Sequence, residues 1–269
     1  PKTADKIYTE PLSAEFLEKI IALERPDGIL ATVGGQTGLT LGSRLYEMGI
    51  LQKYGVRFLG TGYEAIRLGE DRSLFKAQME KIGQPVLPAK SVTSVEEGLE
   101  FAQVIGFPIV LKVAFTLDDA GGNTAFDLED LRTKLALAIQ ASSAHQVLLE
   151  KSVLGWGEFE YEMLRDSLGN KLCVCHMENV DQMGAHTGEL VVVAPSQTLS
   201  YQDHQKLRTA ALQIVEALNI QGGCSVQFVF NRNTGEYYVT KVNPRLSSSS
   251  ALACKATGYP IVRVLSLIH

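Results

Sequence analysis

The 269-residue chain carries a formal net charge of −5 and is 45% hydrophobic, the makeup of a globular protein with a sizeable core in one large domain or two smaller ones. Dispersed acids and the lack of a basic stripe exclude the electrostatic footprint of a nucleic-acid binder. No apolar run approaches the ~20 residues that span a bilayer. Residues 1–6 are polar with no apolar stretch behind them, so no signal peptide is expected there, and the chain reads as a piece of a longer cytoplasmic polypeptide. Of the four cysteines, Cys173 and Cys175 form C-x-C inside an apolar run. That spacing, without histidine partners, argues against zinc and for reduced thiols.

Residues 13–24 (SAEFLEKIIALE) have helical periodicity, with Ser13 as N-cap. GILATV (28–33) reads as a buried strand ending in GGQTG. A helix over 37–49 and a short strand VRFLGT (56–61) follow, so strand–helix alternation predicts a parallel sheet within residues 1–61. The glycines fit either a tight turn or a backbone approaching a ligand; GGQTG is not a complete nucleotide fingerprint. Residues 64–83 read as a helix closed by Gly83, with Pro85 beyond it. Residues 91–106 read as a helix carrying a capping-box pattern at Ser94 and Glu97.

FPIVLKVAF (107–115) reads as a strand, TLDDAGGN (116–123) as a glycine-containing loop, 127–141 as a helix and QVLLEKS (146–152) as a strand. FEYEMLRD (159–166) and KLCVCHMEN (171–179) are strands joined by a Ser-Leu-Gly-Asn turn. After a helix over 201–219, CSVQFVF (224–230) and EYYVTKVN (236–243) form a hairpin across NRNTG. The serine run at 247–250 is too short for a linker.

Three groups of residues carry chemistry. Side chains at i and i+2 share a strand face, so Lys241 and Asn243 point the same way. The hairpin turn near Asn233 brings Gln227 opposite them within a residue or two of register, and Arg245 follows at once. These four converging on one face fit a ligand site or a solvated polar face. In the second group, Arg72 begins a helix and Lys112 lies inside an apolar strand, where a cation is costly without an anion; a phosphate or a neighbouring acid serves. In the third, EKSVLGWGEFE (150–160) reads as a hinge strand edging an adenosine pocket, with Glu158 toward a ribose. MGAHTGE (183–189) sets glycines around His186, a residue type that is structural as readily as functional. No Ser-His-Asp grouping, H-E-x-x-H or G-x-x-x-x-G-K-[ST] is present.

With these residues in view, the chain resembles the large subunit of carbamoyl-phosphate synthetase. ADKIYTEPL, ERPDGILATVGGQTGL, GEDRSLF, LLEKSVLGWGEFEYEMLRD, MENVDQMGAHTGE, VVVAPSQTLS and NPRLSSSSALACKATGYP carry the resemblance, over essentially the whole chain. They look more like its N-terminal, carboxyphosphate-forming half. The resemblance implies an α/β architecture: a partial pre-ATP-grasp (Rossmann-like) domain over 1–63 and an ATP-grasp domain over 64–269. It also implies an ATP-dependent C–N ligase that phosphorylates bicarbonate and lets ammonia attack to give carbamate. ATP and Mg²⁺ or Mn²⁺ would be the cofactors. A glutaminase small subunit or domain and the remainder of the large subunit would be the partners.

By motif, Arg72, Lys112, Gly121 and Gly122 would hold phosphates, and Lys151, Val153 and Glu158 would line the adenosine pocket. Gly184, Ala185 and His186 would contact the nucleotide. Gln227 and Asn243 would be metal ligands, and Asn243 and Arg245 would act at the reacting centre, Arg245 facing bicarbonate.

The departures from the family fall in the same places. Lys241 stands where the family has a metal-binding glutamate, Lys112 where it usually has arginine, and Ser248 where it has an arginine. Its glycine-rich phosphate loop here reads Leu117-Asp118-Asp119-Ala120-Gly121-Gly122, with two acids facing triphosphate. At ~4 Å and an effective dielectric near 20, a unit charge pair is worth roughly 4 kcal/mol, and an ammonium turns that attraction to a metal ion into repulsion. Glu236, five residues away, is placed on the opposite strand face. A non-catalytic nucleotide-binding scaffold is therefore the alternative to a working ligase.

Overall fold

The computed structural model describes residues 4–113, 124–142, 145–181, 183 and 191–266. The readings placed on Asp118, Asp119, Gly121, Gly122, Gly184, Ala185 and His186 lie outside the described residues.

Near the N-terminus, α1 (Ala14–Glu24) is capped by Ser13, whose Oγ accepts from the Phe16 N–H at 3.4 Å. β1 (Gly28–Ile29) and β2 (Arg57–Phe58) pair in parallel, with α2 (Gly35–Glu47) and α3 (Ile50–Tyr54) between them. The parallel pairing is as predicted, but the strands are shorter. Ala31–Val33 winds into a 3₁₀ turn and α2 begins at Gly35, inside the GGQTG stretch. The cause is close backbone approach: a Cβ on Gly38 would stand 2.8 Å from the Ala31 carbonyl oxygen, so only glycine lets the turn pack on the helix.

The single helix expected over 64–83 is two, α4 (Tyr63–Glu70) and α5 (Arg72–Lys81). Apolar periodicity runs through both, yet Asp71 leaves the helical conformation and its carboxylate accepts from the Ser73 and Leu74 N–H groups at 2.8 and 2.9 Å. An acidic N-cap of this kind starts a new helix.

A four-stranded antiparallel sheet follows, β3 (Ala89–Val92), β4 (Ile109–Val113), β5 (Thr124–Ala125) and β6 (Val147–Lys151), in the order β3-β6-β4-β5. α6 (Val95–Ile105) and α7 (Leu128–Ala141) share one core with it, built on Ile109, Leu111, Leu131, Leu135 and Leu149. Residues 91 and 92 belong to β3 rather than to the helix. Ser94 caps α6, and the Glu97 carboxylate reaches back to the Thr93 N–H at 2.9 Å.

The larger sheet is antiparallel throughout. β7 (Gly157–Arg165), β8 (Lys171–Asn179), β9 (Val192–Val193), β10 (Gly222–Phe230) and β11 (Tyr237–Asn243) run in the order β11-β10-β7-β8-β9. α8 (Tyr201–Ala217) covers one face over Phe159, Tyr161, Val226 and Phe228. On the other face α9 (Ser248–Thr257) and α10 (Ile261–Leu265) cover Leu164, Cys175 and Met177. The serine run thus opens a helix, with the Ser247 N–H donating to Ser250 Oγ at 3.1 Å. Among the described residues no helix is long and apolar enough to cross a membrane.

Candidate functional site

Away from α8, alternate residues of three adjacent strands make a polar face. Glu160 of β7, Gln227 of β10 and Lys241 of β11 stand in one cross-strand row, and Glu162, Ser225 and Asn243 in the next. Lys241 and Asn243 share this face, as the alternation predicts, and Gln227 lies directly opposite Lys241. Gln227 Nε2 donates to Glu160 Oε2 at 3.3 Å, and Asn243 Nδ2 donates to Ser225 Oγ at 3.0 Å. From above, α9 supplies Ser249 Oγ to Glu160 Oε1 at 2.6 Å and Ser250 Oγ to Glu162 Oε1 at 2.5 Å.

The Glu162 side chain is fully buried. Burial pushes its carboxyl up to about 8, against the opposing Ser250 hydrogen bond and with help from the neighbouring Glu160 charge. Glu162 is therefore protonated at neutral pH and brings no formal charge to the face. Among the described residues, Glu162 Oε2 and Asn243 Oδ1 are buried oxygens with no hydrogen-bond partner.

The placement of Glu236 is corrected. The register passes from Gln227↔Lys241 to Phe228↔Val239, which leaves Thr240 as a bulge. Val239 and Val242 both enter the α8 core, so the side-chain alternation inverts between them. Glu236 therefore shares the face of Tyr238 and Lys241. It is engaged all the same, accepting from the Tyr238 hydroxyl and from Lys151 Nζ, the latter at 3.1 Å.

Beyond Gln227 on the same face lies an apolar seam between the two larger sheets. Val153, Val229 and Tyr238 pack there with Leu87 and Trp156, and the Trp156 and Tyr238 rings stack with centroids 5.6 Å apart. Lys151 Nζ lies 5.6 Å from the Tyr238 ring centroid. Glu158 accepts from Asn179 Nδ2 at 3.2 Å. Lys151, Val153 and Glu158 are thus brought together around the seam.

Lys112 meets a neighbouring acid, Glu150 Oε1, at 2.9 Å. Arg72 is the exposed first residue of α5, and its guanidinium makes no hydrogen bond or ion pair among the described residues. Arg245 follows the end of β11 and reaches toward α2. Its N–H turns back to the Asn243 carbonyl at 2.8 Å, and its Nε donates to Gln36 Oε1 of α2 at 3.0 Å. All four cysteines are free thiols.

Sequence reasoning passed over Glu160 and Glu162, which come from β7 rather than from the hairpin. The signal was present in Glu158-Phe159-Glu160-Tyr161-Glu162, where acids and aromatic rings alternate. The rings are buried in the α8 core, so the acids share the other face.

Solved structures of similar fold include biotin carboxylases. The biotin carboxylase–βγ-ATP complex from Campylobacter jejuni superposes with a TM-score of 0.74 at 21% identity, over 96% of this chain and 57% of that one. The biotin carboxylase domain of a thermophilic 2-oxoglutarate carboxylase bound to bicarbonate gives a TM-score of 0.80 at 21% identity, over 99% of this chain and 60% of that one. The fold is that of the ATP-grasp ligases.

More closely, the chain belongs to the carbamoyl phosphate synthase large-chain family: residues 71–268 match the carbamoyl-phosphate synthase L chain, ATP binding domain, and residues 1–68 the carbamoyl phosphate synthase preATP-grasp domain. It is 55% identical over 267 residues to the carbamoyl phosphate synthase large chain of Clostridium botulinum (strain Langeland), covering 99% of this chain and 25% of that protein. It is 54% identical over 268 residues to the N-terminal section of the Methanopyrus kandleri large chain, covering 100% of this chain and 48% of that protein. The chain thus spans a quarter to a half of the length of these relatives.

The residues where the resemblance implies a metal ion do not fit a divalent cation. Mg²⁺ takes a near-octahedral oxygen shell that includes carboxylate. Gln227 and Asn243 supply neutral oxygens, among them the unpartnered Asn243 Oδ1, but the residue between them on the strand face is the Lys241 ammonium. The nearest carboxylate in that row, Glu160, is already bonded by Gln227 and Ser249. Among the described residues no group of three His, Cys, Asp or Glu side chains is placed to hold a metal ion.

Proposed function

We propose that this segment binds ATP across the polar face and the apolar seam, and serves the ATP-dependent activation of bicarbonate to carboxyphosphate and carbamate as part of a carbamoyl phosphate synthase-type large chain. The observation that carries this reading is the pair of aligned rows, Glu160–Gln227–Lys241 and Glu162–Ser225–Asn243, set beside the seam of Val153, Trp156, Val229 and Tyr238. In this reading the adenosine lies at the seam against Lys151, Val153 and Glu158. Arg72 and Lys112 hold phosphates, Gln227 meets the polyphosphate, and Asn243 and Arg245 meet bicarbonate. Gly121, Gly122, Gly184, Ala185 and His186 complete the nucleotide contacts.

The chemistry is electrophile activation. A bicarbonate oxygen attacks the γ-phosphorus, the bond to ADP breaks, and carbon gains phosphate as a leaving group that ammonia displaces. Such transfer depends on positioning and on charge neutralisation around the phosphoryl group. Here Arg72, Lys112 and Lys241 are the cations this chain offers for that neutralisation. The reading includes a domain boundary at 63/64, a cytoplasmic setting, the rest of the large chain and a glutaminase partner as ammonia source.

The test is ADP release with and without bicarbonate. The expected result is stimulation by bicarbonate that is lost in Arg245→Met. Release indifferent to bicarbonate, in a folded protein that binds ATP, would overturn the activation step. A second reading, a nucleotide-binding module without turnover, is favoured by Lys241 at the metal position. ATP binding with no ADP release would select it.

A further inference from the structure

Two lysines at the edge of the candidate site are neutralised by carboxylates, Lys112 by Glu150 at 2.9 Å and Lys151 by Glu236 at 3.1 Å. Lys241 is not. It is exposed on the polar face, opposite Gln227, and its ammonium makes no ion pair or hydrogen bond among the described residues. The acids around it are committed elsewhere. Glu160 is bonded by Gln227 and Ser249, Glu162 is capped by Ser250, Glu158 by Asn179, and Glu236 by Lys151 and Tyr238.

The Thr240 bulge is what aims Lys241 outward. Without it, the alternation that buries Val239 would carry residue 241 into the α8 core. A flexible, strongly hydrated ammonium on a rigid strand opposite the Gln227 amide is a point-charge binder of phosphate oxygens.

We propose that Lys241 is the built-in counter-charge for a nucleoside polyphosphate at this face, so that the site takes the free nucleotide without a divalent cation. This rests on the nucleotide-binding part of the reading above. The ammonium occupies the place beside Gln227 and Asn243 that a bridging cation would need, and it repels such an ion while attracting the same phosphate oxygens.

The test is calorimetric titration of ATP into the full chain, in EDTA and in excess Mg²⁺, for the wild type, Lys241→Met and Lys241→Glu. The wild type is expected to bind ATP in EDTA within about threefold of its affinity in Mg²⁺. Lys241→Met should lose roughly tenfold in EDTA, the order expected for one ion pair to phosphate. Lys241→Glu should lose more in EDTA and recover in Mg²⁺. Because Lys241 is exposed, unchanged thermal melting of both variants checks that the fold is intact. Wild-type binding that appears only with Mg²⁺, or EDTA binding unaltered in Lys241→Met, would overturn this inference and leave nucleotide binding standing. A folded wild type that binds ATP in neither buffer would overturn both.

Discussion

Ser250, in the first turn of α9, donates its hydroxyl to Glu162 Oε1 at 2.5 Å, while Glu162 Oε2 has no partner among the described residues. One hydrogen bond does not offset the cost of burying a carboxylate, so the proton stays on and the carboxyl titrates near 8. Between pH 4.5 and 8 the unfolded chain releases this proton and the folded chain keeps it. Stability from this group is therefore full below about pH 4.5 and is lost as the pH rises through 8. Glu162→Gln should gain on the wild type by on the order of 3 kcal/mol between pH 5 and pH 9. Urea unfolding of both proteins across that range measures it. A difference that does not change with pH would show that Glu162 is ionised in the fold.

His176 predicts a slope of the opposite sign. Its ring lies 4.0 Å from that of His204, and Nδ1 shares a 2.7 Å hydrogen bond with Ser196 Oγ. Burial, then the His204 charge, pulls His176 down to about 4. Between pH 6.5 and 4 the unfolded chain takes up a proton that the folded chain refuses, so stability falls as the pH falls through that window. Partial exposure and solvent screening reduce the effect to on the order of 1–2 kcal/mol. His176→Asn should flatten the pH 4–6.5 limb of the unfolding midpoint and leave the alkaline limb alone. An unchanged acid limb would reject the assignment.

Much of this architecture was legible because the relevant interactions are local. Ser13, Ser94 and the alternation along 236–243 announce their elements in a few adjacent residues, and the hairpin turn fixes Gln227 against Lys241. What escaped depends on partners distant in sequence. β1 and β2 are two residues long and exist only because they meet each other. The Asp71 cap is hidden by apolar periodicity running through 64–83, and α9 opens on serines that carry no apolar periodicity. Alternation assigns faces correctly only while it is unbroken, so the Thr240 bulge reversed the reading of Glu236. Glu160 and Glu162 escaped because the strand next to the hairpin is β7, more than sixty residues upstream, and nothing local specifies that pairing.

Lys112 separates structural from ligand-binding roles. Its 2.9 Å pair with Glu150 joins side chains that remain 36% and 20% exposed, and such pairs contribute at most about 1 kcal/mol. Lys112→Met should leave the unfolding midpoint nearly unchanged. If the lysine exchanges Glu150 for phosphate when nucleotide arrives, the same variant should bind ATP roughly tenfold more weakly, as expected for a lost charge-assisted contact. Calorimetry and urea unfolding on one preparation decide between the roles. Lost stability with unchanged affinity would make Lys112 a sheet residue only.

Glu178 is the reverse case, a buried acid held for structure. Its side chain is 4% exposed, against 39% for its partner Arg232. It accepts from Arg232 at 2.6 Å, from the Gln197 and Thr198 N–H groups at 2.8 and 3.0 Å, and from Thr198 Oγ1 at 2.5 Å. These bonds anchor the segment that leads into Ser200, the N-cap of α8. Glu178→Ala would strand two backbone donors and a guanidinium, at a cost of about 3–5 kcal/mol. Arg232→Met should cost less, because the carboxylate keeps three donors and the arginine is partly solvated. A double-mutant cycle should return a coupling of about 1–3 kcal/mol between the two. A Glu178→Ala cost below about 1 kcal/mol in urea unfolding would mean that water replaces these donors and that the carboxylate does not hold the entry to α8.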